Sequence, residues 1–65
     1  MSITSSLCEV ITSAAKDLLT AADAIDALAD YAPPEAAPVA RKVAAQYRAQ
    51  AVRYDGIVHT MREGA

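Results

Sequence analysis

Leu7, Ile11, Ala14, Leu18, Ala21, Ile25, Leu28 and Ala32 succeed one another at alternating steps of four and three residues. That 3.5-residue repeat belongs to a helix laying a stripe against another helix. With Ile11, Leu18, Ile25 and Ala32 at heptad position a, Leu7, Ala14, Ala21 and Leu28 fall at d. Position e then carries a ladder of small side chains, Cys8, Ala15, Ala22 and Ala29. Position f is charged: Glu9, Lys16, Asp23, Asp30. The apolar face is wider than a two-stranded coil requires and suits a helix with two neighbours in a bundle.

A second repeat follows at Ala37, Ala40, Ala44, Tyr47, Ala51, Tyr54, Val58 and Met61. Ala36, Val43, Gln50 and Ile57 flank it on one side, and Arg41, Arg48, Asp55 and Arg62 on the other. The break between the repeats is Tyr31-Ala32-Pro33-Pro34-Glu35. Pro33 disfavours helical geometry at Ala32, and neither proline can donate an interior helical hydrogen bond. Ser6-Leu7-Cys8-Glu9 fits a capping box, with Ser2 as a competing start. The elements predicted within a single domain, residues 1–65, are a helix over 6–31, a turn at 32–34 and a helix over 35–62. So short a connection brings the second helix back antiparallel to the first. Folding about Pro33 would place Asp23 and Asp26 near Arg41 and Lys42, Asp17 near Arg48, and Cys8 near His59.

Sixty-five residues lie near the lower limit for a chain that folds alone. Small chains compensate with disulfides, metal or oligomerisation. A single cysteine excludes an internal disulfide, and one Cys with one His supplies a metal poorly. Self-association remains. The expected fold class is therefore all-α: an antiparallel two-helix hairpin, self-associating into a four-helix bundle or larger helical oligomer, the simplest being a homodimer. The expected oligomer interface comprises Leu7, Ile11, Ala14, Ala15, Leu18, Ala21, Ala22, Ile25 and Leu28 on the first helix. On the second it comprises Ala44, Tyr47, Ala51, Tyr54, Val58 and Met61.

A net charge of −2 gives no general attraction to nucleic acid or acidic membranes. No run of about 18 apolar residues exists to span a bilayer. The N-terminal residues lack the basic and apolar segments of a secretory leader, so the expected location is cytoplasmic, with a reduced Cys8 thiol.

Candidate chemistry is sparse. HExxH, paired cysteines and glycine-rich phosphate loops are all missing. A Cys8–His59 pair would need an orienting third group and a pocket, so the thiol is read as structural. No catalytic residue, metal ligand or cofactor is assigned. Leu19, Val39 and Val52 lie off the main stripes, and Tyr31 sits beside the turn; these are the candidate partner-binding residues. Arg48 and Arg53, next to Tyr47 and Tyr54, are a candidate anion site. The expected function is that of a non-enzymatic helical homo-oligomer binding another protein as regulator, inhibitor or adaptor. Compact chains of this kind are common among phage-type accessory proteins, an analogy of architecture alone. The alternative is a sponge for an anionic small molecule such as a nucleotide, held at a subunit seam.

Overall fold

The computed structural model describes residues 2–64, which form two helices, α1 (Ile3–Ala29) and α2 (Ala37–Gly64), packed against each other. The start of α1 is decided by Ser2. Its backbone is extended, and its Oγ accepts a 3.0 Å hydrogen bond from the Ser5 backbone N–H. One orphan donor of the first turn is thereby satisfied, and the helix begins several residues before the Ser6 capping box.

The connection is longer than the two prolines alone require. The α1 ladder stops at Ala29, and the Tyr31 and Ala32 amides turn back onto the Leu28 and Ala29 carbonyls at 3.0 and 3.2 Å. The Pro33 carbonyl then accepts from both Ala36 and Ala37 at 2.9 and 3.0 Å. These bonds lead into α2, where Pro38 is the second residue, a place where its missing N–H costs nothing. The turn therefore occupies residues 30–36, not 32–34.

That difference shifts the register. Arg41 pairs with Asp30 at 2.6 Å, while Arg48 reaches Asp26 at 2.6 Å and Asp23 at 2.9 Å. Arg48 therefore takes the aspartates expected beside Arg41 and Lys42, and Asp17 lies nearer the open end than Arg48. These ion pairs and the burial pattern together set Ala29 near the level of Ala44, Ala22 near Ala51, and Ala15 near Val58.

Those layers are the core. The buried residues are Cys8, Ala15, Ala22, Ala29, Ala44, Ala51 and Val58. The seam inside one chain thus runs along position e of α1, where small side chains let the backbones approach. Positions a and d lie to one side of it. Leu7 and Leu28, expected in the seam, are 48% and 69% exposed.

A core of alanines is thin. Among the described residues no large side chain is fully buried. The hairpin measures 48 × 16 × 10 Å between Cα extremes, with a radius of gyration of 15.0 Å. A compact chain of this length would have one of about 11 Å. Its accessible surface is 4758 Å², against roughly 4,000 Å² for a compact monomer of 6.8 kDa.

Candidate functional site

Residues at one heptad position share an azimuth, so the ion pairs and the burial pattern together sort the slab's two broad faces. One face is polar. It carries Asp23, Asp26 and Asp30 of α1, with Arg41, Arg48, Asp55 and Arg62 of α2. The Arg48 guanidinium bridges two carboxylates, donating through Nη2 to Asp23 and through Nη1 to Asp26. The hydrogen bonds to Asp23 and then Asp26 hold its pKa above the ordinary arginine value.

The opposite face is apolar. On α1 it presents Ile11, Leu18 and Ile25, half-buried beside the seam, and then the d column from Leu7 to Leu28. On α2 it presents half-buried Tyr54 and Met61, with Tyr47 and Ile57 more exposed at 37% and 47%. Val10 and Tyr31, both well exposed, border it along α1, and Val39 borders it along α2. Leu7 and Met61 line one shallow hollow at the open end, which places the two stripes on the same side of the hairpin. No buried side-chain polar atom among the described residues lacks a partner. The unsatisfied surface here is apolar.

The residues singled out from the sequence separate along these faces. Ala15, Ala22, Ala44, Ala51 and Val58, expected in an oligomer interface, are enclosed between α1 and α2 of one chain. The other expected interface residues, from Leu7 to Met61, lie on the apolar face or at its edge. Leu19, Tyr31, Val39 and Val52 are all exposed, but not as one patch. Leu19 and Val52 fall on the polar face at similar height, whereas Tyr31 and Val39 lie near the turn at the rim of the apolar face. Arg48 and Arg53 diverge: Arg48 holds its aspartates, while Arg53 lines an open depression with Gly56, Ile57, Thr60 and Met61. Cys8 and His59 do not meet either. The thiol is buried in the seam, and the exposed imidazole lies 3.1 Å from Glu63 on its own helix.

Geometry alone carries the functional reading. No family model, curated protein or solved structure matches the chain. No helix of the described residues is long and apolar enough to cross a membrane. Nor do those residues gather three or more His, Cys, Asp or Glu side chains able to hold a metal ion.

The residue that sequence reasoning underrated is Val10. It sits at position g, outside the a/d stripe, yet extends the apolar face and is 67% exposed. Its signal was available in the g column Ile3, Val10, Ala24 and Tyr31, which is apolar except at Asp17.

Proposed function

We propose that this protein is a non-catalytic interaction module. Two hairpins pair through their apolar faces into a four-helix bundle, and the bundle binds another protein as a regulator, inhibitor or adaptor. The observation that supports this reading is the sorting of the two faces. Ion pairs complete one side, while leucines, isoleucines and tyrosines stay half-covered on the other. The excess surface, roughly 800 Å² over a compact monomer, is close to the approximately 800 Å² that each partner of a standard interface buries. Pairing would convert a single layer of helices into a bundle with an enclosed interior.

With the apolar faces joined, the polar faces point outward. Leu19 and Val52, 42% and 70% exposed, then stand as isolated apolar groups among charges and form the candidate contact for another protein. An affinity experiment with paired baits tests this. A partner retained by the wild-type protein and lost with Val52→Asp, while the variant stays helical and dimeric, supports the role. Identical protein sets on both baits refute it.

The anion-binding alternative requires Arg48 to leave two carboxylates before it can meet a phosphate, and Arg53 lies on the other flank. No geometry favours it.

A further inference from the structure

The apolar face could receive a second hairpin in two ways related by two-fold symmetry. Either α1 stacks on the partner's α2 with both turns at the same end, or α1 stacks on the partner's α1 with the turns at opposite ends. Resting on the pairing proposed above, we infer the first arrangement: each α1 lies against the partner's α2, and Asp17 pairs with Arg53 of the partner subunit.

Charge is the first argument. Glu9, Asp17, Asp23, Asp26 and Asp30 against Lys16 give the α1 half a net charge of −4, whereas the chain from Glu35 onward carries +2. Asp23, Asp26 and Asp30 are already paired with Arg41 and Arg48 on the far face, so the choice falls to the charges beside the apolar face, where like charges juxtaposed are costly. The rims sharpen this. Along α1 the column bordering the apolar face is Ile3, Val10, Asp17, Ala24 and Tyr31; along α2 it is Val39, Gln46, Arg53 and Thr60. Asp17 and Arg53 are the only charges in these columns. Both are exposed, and neither enters an ion pair among the described residues.

Height is the second argument. The intrachain register puts Asp17 within three residues of the level of Arg53, about 4.5 Å along the axis, which an arginine side chain spans. The same register brings Leu28 beside the partner's Val43, and Ala14 beside the partner's Ile57, a small side chain against a large one. In the opposite arrangement Asp17, next to the midpoint of α1, would face its own copy, and Arg53 would approach its own copy as well.

Spin labels at the turn test the orientation. Glu35→Cys in a Cys8→Ala background places one label per chain at an exposed site, and alanine matches the rest of the e ladder. The expected distance between labels is roughly 15–30 Å, from helix spacings of 8–10 Å plus the label arms. A distance near the 48 Å long axis overturns the orientation and leaves pairing intact. Absence of any intermolecular dipolar signal overturns both. Exchange of charge provides an independent reading. Asp17→Arg and Arg53→Asp should each weaken association several-fold, and the double variant should restore it. If Asp17→Asn, which would relieve an Asp17–Asp17 contact, strengthens association, the opposite arrangement is correct.

Discussion

Arg48 donates through Nη1 to Asp26 Oδ2 at 2.6 Å, across the groove between the two helices. Its other terminal nitrogen holds Asp23. The pair ties α1 to α2 at a fixed height on one face of the hairpin, and it is partly open to water. Exposed ion pairs contribute little, and salt screens them. Arg48→Ala should therefore lower the melting temperature slightly at low ionic strength. The difference should nearly vanish in about 1 M salt, where the screening length is about 3 Å. Thermal melts of both proteins at the two salt concentrations make the comparison.

The seam is far less tolerant. Ala22 and Ala44 are 0% exposed and Ala51 is 1% exposed, so no space separates the helices there. Ala22→Leu should cost about 1–3 kcal/mol by forcing the backbones apart. Ala45→Leu, on the exposed side of α2, should change stability by less than about 0.5 kcal/mol. Urea denaturation of the two variants decides whether this ladder is the core.

Leu28 separates a lone hairpin from a paired one. It is 69% exposed in the single chain, so Leu28→Ala would be close to neutral for a monomer. Burial in a dimer raises the cost to about 1.5–3 kcal/mol. The loss should also grow on dilution, because the stability of a dimer depends on its concentration. Melting curves over a dilution series read both effects.

Gly56 should be replaceable. An added Cβ meets no atom within 4 Å, and the backbone does not adopt a positive φ. Gly56→Ala should stabilise the protein by about 0.5–1 kcal/mol through helix propensity alone. Urea unfolding measures the gain directly.

The helical hairpin was legible in the sequence because both heptad repeats run unbroken and the double proline stands between them. The seam of α1 was not read correctly. Leu7, Leu18 and Leu28 are large and Ala15, Ala22 and Ala29 are small, so size pointed to the a/d stripe as the contact. Burial went to the small residues because two helices with nothing else to pack against gain most by bringing their backbones close. The charge pairing was misplaced for a local reason. Hydrogen bonds at Pro33 and the position of Pro38 lengthen the turn to seven residues, which moves Arg48 level with Asp23 and Asp26. The true α1 start was visible at Ser2 but indistinguishable from Ser6 by residue type. The widened apolar face, by contrast, was evident from the sequence, and its d and g columns are the part that a second chain would cover.

Sedimentation equilibrium is the most direct measurement of that pairing. Over micromolar concentrations the protein should form a reversible species of twice the 6.8 kDa chain mass, with helicity that falls as it is diluted. A single 6.8 kDa hairpin, fully helical and with the same melting temperature at every dilution, would contradict it.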